Sequence, residues 1–194
     1  MTICLLVRHA QFDFGLTHLA GRSENVLSAC GRAQAEGLAS CLPKAPGVLQ
    51  SSPRRRCLET IAPYSASHST PVEVREDIDE IDFGLWTGRS FAELRRDPLW
   101  GSWNSHREHT RPPLGETMAE AQARILRHLD RTAERYPGSN VVLVTHAELI
   151  RAVILACRSL PLRAWGEVDV PYASITAIAL DNSGRRLIDM KVAA

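Results

Sequence analysis

One construction constrains this chain more than any other: a short apolar run that ends abruptly in a cation and an imidazole. The run 4–7 is apolar and is followed directly by Arg8 and His9. Such a run, bounded by polar residues, predicts a buried strand of a mostly parallel sheet. Open α/β sheets bind ligands beyond the carboxyl ends of their strands, so Arg8 and His9 would mark an anion site. Taken alone, the pair is better explained as a strand-end histidine beside a surface arginine.

The same construction occurs a second time. The run 141–144 is apolar, and Thr145 and His146 follow it. A third junction between a strand and a helix, residues 51–56, ends in three consecutive arginines. If the strands are neighbours, the two histidines face each other at one edge of the sheet. The repetition favours an anion site over the simpler explanation.

The composition limits the classes of partner. The 194 residues are 44% hydrophobic, which suits one ordinary globular domain with a sizeable core. The formal net charge of +1 argues against a nucleic-acid surface, whereas the local arginines indicate a small anionic ligand. The sequence shows no signal peptide and no apolar run long enough to span a membrane. We therefore expect a cytoplasmic protein without a nucleic-acid or membrane partner.

Cysteine and histidine spacing predicts no metal centre. The five cysteines are scattered and lack a paired metal-binding spacing, which is typical of reduced thiols in a cytosolic core. His106 and His109 have helical spacing, but no further histidine or cysteine lies near them in the sequence. We interpret the segment 106–109 as an exposed helix end.

Periodicity and turn signals predict alternating strands and helices. Ser28 and Thr117 are candidate helix caps, and Thr117 forms a capping box with Glu120. Pro53 suits the first turn of the helix that carries Arg56. Helices are predicted over 28–42, from 53 onward, over 91–104 with a break near 98, over 117–136 and over 149–157. Strands are predicted over 4–7, 48–49, 72–74, 141–145, 175–180 and 186–192. The last two strands form a hairpin around the turn Asn182-Ser183-Gly184. The fold class is a three-layer α/β/α sandwich with a mostly parallel sheet, which the edge hairpin makes mixed.

Five motifs give the chain a family resemblance. They are Leu6-Val7-Arg8-His9, Ser51-Ser52-Pro53 with Arg56 and Thr60 after it, the segment 80–86, the segment 112–116, and Thr145-His146. In this order the sequence resembles the histidine phosphatase superfamily, which includes the cofactor-dependent phosphoglycerate mutases. The motifs span most of the chain. The resemblance implies a phosphoglycerate mutase-like fold and a single domain over residues 1–194.

The resemblance also implies roles for five residues. His9 would be the nucleophile that becomes phosphorylated, and Glu80 the proton donor to the leaving group. Arg8, Arg56 and a charged His146 would neutralise the phosphate oxygens, with no cofactor and no metal required. Apolar neighbours of Glu80 in the sequence would raise its pKa, as a general acid requires.

The chain departs from the family pattern near the first motif. Gly15 stands where the family usually has an asparagine that contacts phosphate, and Ala10 replaces a glycine. Leu114 lies in a loop that borders the site mouth in the family, which makes it a candidate specificity residue, although core packing explains it equally well. Residues that could substitute for the missing phosphate contacts, each of which could equally be a solvated loop residue, are Gln11, Thr17, Arg22 and Ser23.

Together these observations predict a metal-independent phosphatase that hydrolyses a small phosphorylated metabolite through a phosphohistidine. Two alternatives stay open: mutase-type phosphoryl transfer and a non-catalytic module that binds a phosphorylated ligand. The resemblance is greatest to the branch that holds broad-specificity phosphatases and α-ribazole phosphatase, and it does not choose between their substrates. A homodimer is left open.

Overall fold

The computed structural model describes residues 1–45, 47–181 and 183–192. These residues contain the strands β1 (Thr2–Arg8), β2 (Val48–Ser51), β3 (Val72–Val74), β4 (Asn140–Thr145), β5 (Ser174–Asp181) and β6 (Gly184–Val192). They also contain the helices α1 (Ala29–Cys41), α2 (Arg55–His68), α3 (Phe91–Leu94), α4 (Pro98–Ser105), α5 (Met118–Arg135) and α6 (Ala147–Cys157).

The strands form one mixed sheet in the order β3-β2-β4-β1-β5-β6. Strands β1 to β4 are parallel, β5 is antiparallel to β1, and β6 is antiparallel to β5. The predicted mostly parallel sheet with a closing hairpin is confirmed. Asn182, part of the predicted hairpin turn, lies outside the described residues.

Helices cover both faces of the sheet. Along β4, Val141 and Leu143 pack into the apolar cluster that includes α5 and α6, whereas Val142 and Val144 pack into the cluster that includes α1 and α2. A strand buried on both faces is continuously apolar because alternate side chains enter opposite layers. The predicted three-layer sandwich is therefore confirmed.

Two details of the helices differ from the prediction. Helix α2 begins at Arg55, and Pro53 lies outside it, because Arg54 keeps an extended backbone with ψ of 135°. Of the three apolar positions expected on α1 and its end, Leu38 and Leu42 are buried as predicted, whereas Ala33 is exposed and Ala35 is buried in its place. The predicted caps are present: the Ser28 hydroxyl accepts from the Gly31 N–H, and Thr117 forms the capping box with Glu120. No helix of the described residues is long and apolar enough to cross a membrane.

The carboxyl ends of β2, β4 and β1 lie side by side. In the register, Arg8 pairs with Thr145, and both Val7 and Ser51 pair with Val144. The next residues along the three strands are therefore His9, His146 and Ser52. Because parallel strands end at one edge, these polar groups meet where the apolar runs stop.

Candidate active site

His9 and His146 face each other at this edge. Their ring centroids are 5.2 Å apart, and 3% of His9 and 0% of His146 is exposed. The His9 Nδ1 lies 2.9 Å from the Ala10 carbonyl oxygen. Because a carbonyl can only accept, we assign the proton to Nδ1, which leaves the Nε2 lone pair available. Burial, followed by the charges of Arg56 and Arg8, holds the pKa of His9 well below its usual range.

Arg56 enters the site from the first turn of α2. Its side chain is almost fully buried, and its guanidinium donates to the carbonyl oxygens of Ser23 at 3.0 Å and Gly21 at 2.7 Å. Its Nη2 also lies 3.1 Å from His146 Nδ1. Backbone carbonyls of the first loop therefore fix this guanidinium in place.

His146 contacts Arg56 through one ring nitrogen and Ser52 through the other, and its charge with phosphate bound stays a prediction. Nδ1 accepts from Arg56, while Nε2 lies 2.8 Å from the Ser52 hydroxyl, which donates to Asp79. Burial, followed by the charge of Arg56, holds the pKa of His146 well below its usual range. The ring lies behind Arg56 and Glu80, outside the lining of the cavity described below.

Arg8 has two supports. Its Nη1 donates to the Val170 carbonyl oxygen at 2.6 Å, and its guanidinium carbon stacks 3.6 Å from the centre of the Tyr172 ring. Guanidinium groups stack favourably on aromatic faces because the ring quadrupole attracts the cation. The stacking holds Arg8 at the carboxyl end of β1.

Glu80 is a carboxyl of raised pKa. Its Oε1 accepts from the Ile81 N–H at 3.0 Å, and its Oε2 is 3.6 Å from His146 Nδ1. Burial raises the pKa of Glu80 to about 7, with Arg56 opposing the shift and Glu148 adding to it. The raised pKa agrees with the expectation from its apolar neighbours and makes proton donation feasible near neutral pH.

These groups open into a cavity of about 170 Å³. Arg8, His9, Arg56 and Glu80 form its inner wall. Residues that form its outer wall include Phe12, Gly15, Glu148, Arg151 and Tyr172. A larger hollow of about 760 Å³ lies at the opposite end of the strands, against Met1 and Thr2, but its lining has neither histidine nor arginine. The chemistry of the lining, and not its volume, therefore identifies the candidate site.

The structure explains the two departures from the family pattern. A Cβ on Gly15 would lie 2.3 Å from the Phe12 ring, so the ring fills the space that a side chain at position 15 would need. Ala10 is fully buried, and its N–H donates to the Thr60 hydroxyl, which donates to the Arg56 carbonyl oxygen. The turn after His9 therefore accommodates alanine.

The other predicted contact residues lie outside the described lining of the cavity. The Gln11 N–H donates to Gln34, the Thr17 hydroxyl contacts His18, and Ser23 donates to the Ala20 carbonyl oxygen. Their contacts with a substrate stay predictions.

Arg22 and Leu114, two further predicted contact residues, also lie outside the lining of the cavity. Arg22 donates to the Glu80 carbonyl oxygen and forms ion pairs with Asp82 and Glu116, so it supports the segment that carries Glu80. Leu114 is 82% exposed, which rules out the core-packing explanation. Neither side chain lines the cavity, and their contacts with a substrate also stay predictions.

Sequence reasoning missed most of the outer wall. Glu148 follows His146 by two residues, and that position in the first turn of α6 was a usable signal. Behind the wall, Arg107 donates to Glu148; it was interpreted as part of an exposed helix end, yet it is 6% exposed and stacks on Trp103 and Trp165. Phe12, Arg151 and Tyr172 had no local signal, since only the fold brings them to the cavity.

The fold and the site define an α/β protein with a buried histidine, two guanidinium groups and a carboxyl of raised pKa around one small cavity. The chain belongs to the Histidine phosphatase superfamily (branch 1), which matches residues 4–192.

Relatives of the chain carry different names. It is 32% identical over 158 residues to a bifunctional protein of Mycobacterium tuberculosis, of which the match covers only 43%. It is 29% identical to an acid phosphatase of the same organism, covering 94% of this chain and 89% of the relative. Among solved structures, α-ribazole phosphatase from Shigella flexneri superposes with a TM-score of 0.89 at 21% identity, covering 99% of this chain and 97% of the other.

Proposed function

We propose that this protein hydrolyses small phosphate monoesters through a phosphohistidine on His9. The observation that carries the proposal is the contact between His9 Nδ1 and the Ala10 carbonyl oxygen. It keeps the proton on Nδ1, so Nε2 can attack phosphorus in a cavity wall shared with two arginines. The depressed pKa of His9 keeps the imidazole neutral at physiological pH.

The arginines prepare the substrate for attack. A phosphate monoester carries up to two negative charges, which repel a nucleophile until cations neutralise the non-bridging oxygens. Arg8 and Arg56 supply two guanidinium groups that backbone carbonyls already orient. Because they are oriented before substrate arrives, little reorganisation is needed during the reaction. His146 fixes Arg56 from behind, and its proposed contact with phosphate would require a small displacement of that arginine.

Glu80 serves both steps in this proposal. In the first, the His9 Nε2–P bond forms, the P–O bond to the alcohol breaks, and the Glu80 proton passes to the leaving oxygen. In the second, water attacks phosphorus, its proton passes to the Glu80 carboxylate, and the N–P bond breaks. A pKa of about 7 suits a group that must both give and take a proton.

The names of the relatives support a small phosphorylated metabolite as substrate, because an acid phosphatase and an α-ribazole phosphatase are among them. A cavity of about 170 Å³ favours a small leaving group. A cytoplasmic location is also proposed, since all five cysteines are free thiols. Burial raises the pKa of Cys57 to about 12, so this thiol, 3.5 Å from His146, stays protonated and is not a competing nucleophile.

Rapid-quench labelling tests the proposal. Radiolabelled glycerol 3-phosphate mixed with enzyme should leave acid-labile, base-stable label on His9 before phosphate is released. His9→Ala should lose both the label and turnover, whereas His109→Ala, which alters a histidine 81% exposed, should keep both. Acid-stable label would indicate a serine or aspartate ester and overturn the proposal. Label that returns to the alcohol without phosphate release would indicate a mutase. Binding of the substrate without label on the protein would indicate a non-catalytic module.

A further inference from the structure

One short segment holds two arginines on the same side of the cavity. The Val168 carbonyl oxygen accepts from Arg151 Nε at 2.9 Å, and the Val170 carbonyl oxygen accepts from Arg8 Nη1 at 2.6 Å. Two residues further on, the Tyr172 ring stacks on Arg8. Alternate residues of one segment therefore fix Arg8 and Arg151 relative to each other.

Arg151 is also fixed from its other side. Its Nη1 donates to Glu148 Oε1 at 2.9 Å, and Glu148 Oε2 accepts from Arg107 Nη1 at 3.2 Å. The Trp165 ring lies under both arginines, with guanidinium carbons 3.5 Å from its centre for Arg107 and 5.2 Å for Arg151. These contacts use Nε and Nη1 of Arg151 and leave Nη2 for a ligand.

The charges of this group do not cancel. Two guanidinium groups share the single carboxylate of Glu148, so the trio of Arg107, Glu148 and Arg151 carries one net positive charge. Its three side chains are at most 17% exposed, so water screens that charge poorly. Arg151 is close enough to Arg8 that its charge, after the larger effect of burial, helps lower the pKa of Arg8. A net cation beside the phosphate-binding arginine favours a second negative group on the ligand.

We propose that Arg151 binds a carboxylate on the leaving group, so that the preferred substrates are small phosphate monoesters of hydroxy acids. This inference rests on the proposed phosphatase function. Arg151 lines the same small cavity as His9, Arg8 and Glu80, which places the carboxylate a short carbon chain away from the phosphoryl group. A guanidinium held on two sides pairs well with a carboxylate because its donors are already oriented.

Matched substrates that differ in one carboxylate test the assignment. We expect kcat/KM to be higher for 3-phosphoglycerate than for glycerol 3-phosphate, and higher for phosphoserine than for phosphoethanolamine. Each difference should be about tenfold to a hundredfold, which corresponds to the free energy of one charge-assisted hydrogen bond. Arg151→Gln should remove this preference by lowering only the values for the carboxylated substrates. Arg151→Lys should keep part of it.

Arg158→Gln is the matched control, since it removes the same charge just after the same helix from an exposed residue outside the cavity wall. It should leave both substrate ratios unchanged. A wild-type ratio near one would overturn the assignment. Equal losses on both members of each pair in Arg151→Gln would also overturn it, because they would place Arg151 on the phosphoryl group or in a structural role.

The two proposals fail in different ways. If wild-type enzyme releases phosphate from glycerol 3-phosphate and p-nitrophenyl phosphate without favouring carboxylates, only the role of Arg151 is lost. If it releases phosphate from none of these substrates and no label is trapped on His9, the phosphatase function itself is wrong. Thermal denaturation of Arg151→Gln and Arg151→Lys identifies any loss of the folded protein before the ratios are compared.

Discussion

The inner and outer walls of the cavity are built in different ways. The inner wall comes from a strand end, the first turn of a helix and the loop that carries Glu80. Backbone carbonyls hold two of its groups: those of Gly21 and Ser23 hold Arg56, and that of Ala10 holds His9. The outer wall depends on side chains from the second turn of α6 and from the segment before β5, such as Arg151 and Tyr172. Under the two proposals, groups at the sheet edge carry out the reaction, whereas the outer wall selects the leaving group.

Among inner-wall variants that keep the nucleophile, Glu80→Gln has the largest expected effect. Because an alkyl alcohol leaves poorly without a proton, kcat/KM for an alkyl phosphate should fall by about 10²–10⁴-fold, the usual contribution of general acid catalysis. p-Nitrophenyl phosphate, whose leaving group departs as an anion, should lose much less. Comparing kcat/KM, or the rate constants of the burst phase, isolates the phosphorylation step.

Glu76→Gln is a suitable control, since it neutralises an exposed carboxylate four residues away. It should leave kcat/KM unchanged for both substrates. If Glu80→Gln slows both substrates equally, Glu80 positions the site without donating a proton, and Asp79 and Asp82 become the next candidates. That result would weaken the comparison of the two walls, because Glu80, a residue of the inner wall, would then position other groups without taking part in the reaction.

A smaller effect is expected from Tyr172, which links the two walls. Tyr172→Leu removes the ring on which Arg8 stacks, and a cation–π contact of this kind corresponds to about a two- to thirtyfold loss of kcat/KM. Tyr172→Phe keeps the ring and should stay within about twofold of wild type. Steady-state kinetics with p-nitrophenyl phosphate measures both variants.

The double variant with Arg8→Lys shows whether the effect passes through Arg8. Lysine lacks the planar group that stacks, so Tyr172→Leu should add little in that background. Fully additive losses would mean that Tyr172 acts on its own, by packing beside Phe12 and His9. Ile188→Ala, which truncates an exposed side chain on β6 outside the cavity wall, gives the background level of variation.

The sequence was sufficient to place the histidines at the sheet edge because each follows a local signal, whereas Arg56 and Glu80 were identified through the family resemblance. An apolar run specifies a buried strand, and the polar residue after it must lie at the strand end, as His9 and His146 do. The parallel order of β2, β4 and β1 then brings these ends together without further information. The mostly parallel sheet and its hairpin could be predicted for the same reason.

The outer wall could not be predicted because its residues meet through long-range packing. Arg107, which supports Glu148 from behind the wall, looks solvated in the sequence, and only its contacts with the Trp103 and Trp165 rings explain its burial. Tyr172 reaches Arg8 across 164 positions, a separation that no local pattern reports. The Phe12 ring occupies the space beside Gly15. From the sequence, position 15 shows only the absence of a side chain, and not what fills its place.

The buried titrating groups of the inner wall also affect how the stability of the protein depends on pH. The pKa of Glu80 is raised to about 7, so ionisation is less favourable in the folded chain, and stability falls as pH rises from about 4.5 to about 7. The lowered pKa values of His9 and His146 act in the opposite direction, because stability falls as pH drops below about 6.5, where the unfolded histidines take up protons.

Because the pKa of Glu80 is raised, Glu80→Gln should raise the free energy of unfolding by up to about 3 kcal/mol at pH 8 and leave it nearly unchanged at pH 4. Urea denaturation at the two pH values measures the difference; an equal gain at both would mean that packing, and not ionisation, limits stability at Glu80. The residue that makes proton transfer feasible near neutral pH would then also be one that weakens the fold in alkaline solution.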